Sequence, residues 1–286
     1  MRMNERIALP SLLADEIGLA HLRHGMLVAR TAFEPLYPVG GERTKPRYLR
    51  ASTSWFLGGR EIRQAALGAT GLGCGDRAFE LSCALAHMRN LFIEDPDTRL
   101  VVPLPEVDDD LFEAFIAALD GQSESGDIEP DRIVFELMAP AGPAALGRMA
   151  SALRARGGAL CLGDFGSAGS SSELIEAVAP DYVRLDARWV RLAGGIDPSR
   201  RLLSSLVSLL REGGRTTILA GMTTPDDRQT AHEVGVELIG GPLLCPPYVA
   251  GTDNPHRSAG KSSDDAAGFT DNVIPMVASG RSHHGH

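Results

Sequence analysis

Apolar and polar positions in the second half of this 286-residue chain alternate between two periods. Short apolar runs at 133–137, 159–163, 182–185, 216–220 and 237–239 read as strands. Between them, apolar residues recur every three or four positions over 141–156, 171–179, 200–212 and 225–233, the spacing of helices. Gly157-Gly158 supplies the glycine stop expected after the first of these helices. Strands that alternate with helices predict βα units and a parallel sheet.

The first half is less regular. The spacing predicts a helix over 12–26, an extended segment over 27–36, a turn at Gly40-Gly41 and a strand over 46–56. That strand carries β-branched Thr53 and aromatic Tyr48, Trp55 and Phe56. Helices follow over 60–67 and 76–90; in the second, Leu81, Ala84, Leu85 and Met88 share one face. A strand over 100–104 precedes an amphipathic helix over 108–119. The opening Asp108-Asp109-Asp110 of that helix sets acids at the positive end of its dipole. Residues 121–131 read as a polar loop. The first ten residues read as a flexible N-terminus. After residue 250 the composition turns to Gly, Ser, Asp and Asn, which predicts a disordered tail over 251–286. Three imidazoles in its closing Ser-His-His-Gly-His have no fixed geometry to hold a metal.

Charge and cysteine usage narrow the function. A net charge of −9 leaves no basic footprint for nucleic acid. No run of 18 apolar residues predicts membrane insertion, and the N-terminus lacks a signal-like apolar region. The four cysteines, Cys74, Cys83, Cys161 and Cys245, are widely spaced with no CxxC pair, which points to a reducing, cytoplasmic compartment. Cys161 lies in an apolar strand and reads as a small buried hydrophobe. There is no GxGxxG, P-loop or HExxH, and GCGDR at 73–77 is no nucleophile elbow.

The most specific stretch is 158–190, GALCLGDFGSAGSSSELIEAVAPDYVRLDARWV. It resembles the middle of an EAL domain, the cyclic di-GMP phosphodiesterase family, where one strand ends in Asp-Asp-Phe-Gly and a later one in Lys-Ile-Asp. Here Gly163 stands for the first Asp, Asp164 for the second, and Arg184-Leu185-Asp186 for the later motif. The resemblance runs from about Leu12 to Val249. It implies the α/β class and a modified TIM-type (β/α)8 barrel, which takes about 250 residues. The expected organisation is one barrel domain over 11–250, flanked by a flexible N-terminus over 1–10 and the tail.

The family's other motifs are altered as well. Its Tyr-Gln-Pro-Ile-like opening resembles Phe33-Glu34-Pro35-Leu36, with Glu34 in the Gln place. Where the Glu of Glu-Ala-Leu-Leu-Arg would bind metal, the chain offers Tyr48, Leu49 or Arg50. The Asn ligand is Pro103. The Glu that opens Glu-Ile-Thr-Glu is kept as Glu136, and the one that closes it is Ala139. The water-activating lysine is Arg184. Both glutamates of Ala-Glu-Gly-Val-Glu-Thr are lost, to Ala220 and Thr223, and Gln-Gly-Tyr becomes Gly240-Gly241-Pro242.

Phosphodiester hydrolysis of this kind needs two divalent cations, each with several oxygen ligands. Glu136 and Asp164 alone would hold at most one ion weakly, so no bound metal, catalytic residue or cofactor is expected. An arginine stays protonated and cannot replace a lysine base. The resemblance therefore implies a catalytically inactive EAL-like regulatory protein in bacterial signalling, acting through a protein partner. Its remnant pocket would be Glu136, Asp164, Arg184 and Asp186. The alternative is a non-hydrolysing cyclic di-GMP receptor, with Glu34, Arg50 and Arg184 as contacts. Residual hydrolysis ranks last. A homodimer is a further expectation, since family members often dimerise.

Deleting 251–286 is expected to leave the melting temperature nearly unchanged, because that segment has no periodic apolar pattern. A large drop would mean that it docks on the barrel.

Overall fold

Two short antiparallel strands, β1 (Leu13–Ala14) and β2 (Ala20–His24), open the fold where a helix over 12–26 is expected. Burial alternates along β2, with Ala20 and Leu22 buried and Arg23 exposed, the period of a strand rather than a helix. Gly18 and Gly25, both at positive φ, make the flanking turns that a helix would not tolerate. The computed structural model describes residues 8–41, 46–62, 76–138, 142–167, 170–195 and 197–252.

Two long strands follow, β3 (Leu27–Pro38) and β4 (Tyr48–Leu57), paired antiparallel over most of their length. A short β5 (Arg60–Ile62) returns along β4, so the expected helix over 60–67 is a strand at its start; residues 63–67 and Cys74 lie outside the described residues. From here strands and helices alternate. Helix α1 (Arg77–Arg89) is N-capped by Asp76, whose carboxylate accepts from the Phe79 amide. Next come β6 (Arg99–Leu104), α2 (Asp109–Glu124), β7 (Ile133–Met138), α3 (Pro143–Arg154), β8 (Ala159–Phe165) and α4 (Ser172–Val178). After β9 (Tyr182–Leu185), α5 (Arg188–Gly195) and α6 (Asp197–Glu212) precede β10 (Thr216–Leu219), α7 (Pro225–Val234), β11 (Leu238–Gly240) and β12 (Tyr248–Val249). Helix α2 runs into the segment expected as a loop, and α5 was not expected at all.

Strands β4 and β6 to β11 pair parallel in order, and β3 closes the ring by pairing antiparallel with both β11 and β4. The result is the predicted eight-stranded barrel of the α/β class, with one reversed strand. Alternation along the strands splits the core in two. Outward residues such as Leu100, Val102, Phe135, Leu137, Leu160 and Leu162 pack against the helices. Inward residues Leu36, Val101, Val134, Cys161, Ile218 and Leu238 fill the barrel as an apolar layer, above Tyr48 and Tyr182. Cys161 is thus the buried hydrophobe its strand context predicts.

Beyond the ring, β1, β2 and β5 extend the long strands β3 and β4 as an antiparallel sheet against α1. A buried polar network pins the two together. His87 on α1 bonds the Thr31 hydroxyl through Nδ1 at 2.9 Å and the Thr53 hydroxyl through Nε2 at 3.2 Å. Asn90 binds both backbone groups of Ala20 and the Thr31 hydroxyl.

Burial lowers the pKa of His87 to about 3. The unfolded chain, with an ordinary imidazole, therefore takes up a proton that the fold refuses. Stability from this residue is complete above the ordinary value of about 6.5 and declines as pH falls from there towards 3. Urea midpoints measured across that range should fall with pH, and His87→Gln should flatten this component of the slope.

Candidate functional site

One layer above the apolar filling, at the C-terminal ends of the parallel strands, the inward positions turn polar. Strand register brings Glu34 opposite Arg50, Pro103 beside Glu136, and Gly163 beside Met138. Leu49 faces the helices and Tyr48 lies a layer lower, so of the three candidates Arg50 takes the inward place at this level. Ala51 would then stand in the Ala place of Glu-Ala-Leu-Leu-Arg.

Glu136 is the centre of this layer and has no exposed surface. The Arg50 Nε–H donates to its Oε2 at 2.9 Å, and the Arg184 Nε–H donates to its Oε1. Burial alone would raise its pKa, but the two guanidinium groups outweigh burial and hold the carboxyl below its ordinary value. Arg184 is itself buried, which opposes its charge; Glu136 and Asp164 more than compensate and raise its pKa. Arg184 Nη2 lies 2.7 Å from Asp164 Oδ1.

Asp164 reaches Arg184 through an unusual backbone. Its φ is +50°, the left-handed region seldom used by residues other than glycine. The pairing of β8 with β9 shifts register between Leu162 and Phe165, the signature of a bulge that re-aims a side chain. Gly163, within this irregular step, is hemmed in: a Cβ there would stand 2.6 Å from Glu136 Oε1 and 2.8 Å from Met138 Sδ. The Glu136 side chain, held by Arg184, thus takes the room that an aspartate at 163 would need. Gly166 is equally enclosed, with a Cβ falling 2.3 Å from the Trp189 indole nitrogen.

The remaining candidates sit at the edges. Glu34 is largely buried; burial raises its pKa, with Arg50 and Arg184 opposing and Glu136 adding to the rise. Asp186 stands apart from the cluster. Its carboxylate accepts from the Arg188 backbone amide at 2.8 Å and from the Arg188 guanidinium at 2.7 and 3.0 Å. That guanidinium, above all, holds the Asp186 carboxyl below its usual range. Ala139 lies outside the described residues. Sequence reasoning missed Trp189, for which no motif gave a signal.

These donors do not fit a pair of divalent cations. Both oxygens of Glu136 and one of Asp164 are already bonded by guanidinium groups, and Pro103, Gly163 and Ala220 contribute no oxygen side chain. Among the described residues no group of three or more His, Cys, Asp or Glu side chains is arranged to hold a metal.

A family model described as the EAL domain matches residues 77–247. Among solved structures, Klebsiella pneumoniae BlrP1 in a calcium and cyclic di-GMP complex aligns with a TM-score of 0.66 and 18% identity over 84% of this chain and 59% of that one. The PaMucR phosphodiesterase in its cyclic di-GMP complex gives a TM-score of 0.63 and 18% identity over 78% of this chain and 92% of that one. A standalone versatile EAL protein from Vibrio cholerae O395, in its cyclic di-GMP-bound form, gives 0.61 and 16% identity over 77% and 92%. At these identities the likeness is one of fold. This chain spans less than two thirds of BlrP1. Among curated proteins none matches.

Replacing Glu136 by Gln removes the carboxylate that the two inward guanidinium groups share, leaving Arg184 its contact with Asp164 and Arg50 without its described ion pair. Breaking a buried pair in this way costs about 3–5 kcal/mol, whereas exchanging the whole cluster for apolar residues of similar volume is often neutral. Urea unfolding should therefore rank Glu136→Gln well below a Glu136→Leu, Arg50→Met, Arg184→Met triple variant. Equal stabilities would show that the cluster carries no such load.

Proposed function

This chain belongs to the EAL domain family, and we propose that within it the chain is a catalytically inactive regulatory protein that acts by binding a protein partner. The observation that carries the reading is the state of Glu136. It is the retained ligand that the family resemblance assigns, and it is neutralised by Arg50 and Arg184. In-line hydrolysis with two metals requires carboxylates free to clamp cations on the attacking and leaving oxygens. Here the protein's own cations occupy that role. Arg184, in the lysine place, keeps its proton at any ordinary pH and cannot activate water.

A second reading, a cyclic di-GMP receptor without hydrolysis, has two observations in its favour. Glu34 lies opposite Arg50 in the strand register, and the Arg50 and Arg184 guanidinium groups offset the charge an acid at the mouth would present to a dianion. Arg50 also makes its described hydrogen bond through Nε, leaving its terminal nitrogens to meet a phosphate. Residual phosphodiesterase activity is the least supported. No helix among the described residues is long and apolar enough to cross a membrane. The buried thiols of Cys83 and Cys161, which form no disulfide, are consistent with a reducing, cytoplasmic setting.

Isothermal titration with cyclic di-GMP, with and without Mg²⁺, separates the readings. The expected result is no heat into the high micromolar range and no turnover with Mg²⁺ or Mn²⁺. Binding in the low micromolar range that is lost in Arg50→Ala would establish the receptor. A metal-dependent rate abolished by Glu136→Ala would overturn both.

A further inference from the structure

Helix α7 packs against α5 and α6 along one flank. Its other flank has no helical neighbour. Each parallel strand of the ring from β4 to β10 is followed by a helix before the next ring strand, whereas β11 leads through residues 241–247 into β12 with no helix between them. The place of one outer helix, between α7 and the outer side of β3, is left as a groove of about 460 Å³. That volume lies in the range of small-molecule sites.

Val39 and Leu243 give the groove apolar surface, and Arg228, Gln229 and His232 of α7 give it a polar wall. Arg228 and His232 are four residues apart on the helix, so their side chains share a face. Arg228 is half-buried and His232 exposed, and neither side chain has a hydrogen-bond or ion-pair partner among the described residues. No acid among the described residues lines the groove. Asp227 is turned to the helix cap, where it accepts from the Thr223 and Thr224 amides at 2.8 Å. Glu233 accepts from Arg200 at 2.9 Å and from Gln229 at 3.0 Å. In a chain of net charge −9, Arg228 is thus a cation left uncompensated beside apolar surface.

We propose that this groove is a binding site for a small carboxylate with an apolar body. The carboxylate meets the fork of the Arg228 guanidinium, which matches it in charge and in geometry. His232, one turn along the same face, offers a ring N–H to the same group. The apolar body covers Val39 and Leu243 and leaves water. A single guanidinium matches a single negative charge, so a dianion would leave its second charge unmatched, and an amine would be repelled by Arg228. The groove shares no residue with the barrel mouth, and the proposal is independent of whether that mouth is catalytic.

Titration of the full chain with phenylbutyrate, followed by NMR of the valine and leucine methyl groups, tests it. The Val39 and Leu243 methyls should shift together along one saturable curve. Phenylbutyramide, of the same shape without the charge, should bind at least tenfold more weakly, about 1.4 kcal/mol per tenfold. Arg228→Gln should weaken phenylbutyrate to the same degree while circular dichroism melts stay unchanged. Arg228→Glu should reverse the preference, so that phenylbutylamine binds more tightly than phenylbutyrate. No saturable shift at Val39 and Leu243, equal binding of acid and amide, or an affinity indifferent to Arg228→Gln would each overturn the proposal. So would an Arg228→Glu chain that still prefers the acid.

Discussion

A carboxylate without solvent contact, clamped between two guanidinium groups, is the interaction on which the barrel mouth depends. An isolated charge at the position of Glu136 would pay several kcal/mol of desolvation. Arg50 comes from β4 and Arg184 from β9, so the two donors reach Glu136 on β7 from opposite sides of the ring. The clamp therefore ties together strands that are not neighbours, which backbone pairing alone does not do. Its members sit above a fully apolar layer, which excludes water from below and strengthens the attraction.

The clamp also sets what surrounds it. With Glu136 drawn towards Arg184, the space over 163 is filled, and a side chain there would have to displace the Glu136 carboxylate or the Met138 thioether. The bulge at Gly163-Asp164 turns Asp164 towards the same arginine, adding a third carboxylate-to-guanidinium contact at the rim. Positive charge that metal ions supply in related two-metal sites is here part of the chain. The carboxylates of Glu136 and Asp164 are thus bonded within the chain, by arginines from β4 and β9.

Much of this was legible in the sequence, and the failures have physical causes. The parallel half showed its strands and helices because their faces are buried against one another, so period and burial coincide. The stretch over 12–26 misled because Leu12, Leu19 and Leu22 mimic helical spacing, while Gly18 and Gly25 were the stronger evidence for turns. Helix α5 has a mixed, arginine-bearing sequence whose periodicity is too short to stand out. At the site, Glu136, Asp164 and Arg184 were placed together by motif and are together in space, whereas Asp186 belongs to a local turn with Arg188. The choice among Tyr48, Leu49 and Arg50 needed the register of β3, β4 and β6, which no single sequence supplies.

The division between interior and surface bears on what such a chain can do. In the interior, the described hydrogen bonds of Glu136 are all internal, and a ligand entering the mouth must compete with Glu136 and Asp164 for Arg184 and with Glu136 for the Nε of Arg50. Any dianion would thus gain its phosphate contacts partly at the expense of a buried pair, and leaving a buried carboxylate unpaired is costly. On the surface no such competition exists. Arg228 has no described ion pair, so a carboxylate held in the groove beside α7 breaks none, while its apolar body covers Val39 and Leu243. On energetic grounds the mouth resists new contacts and the groove favours them.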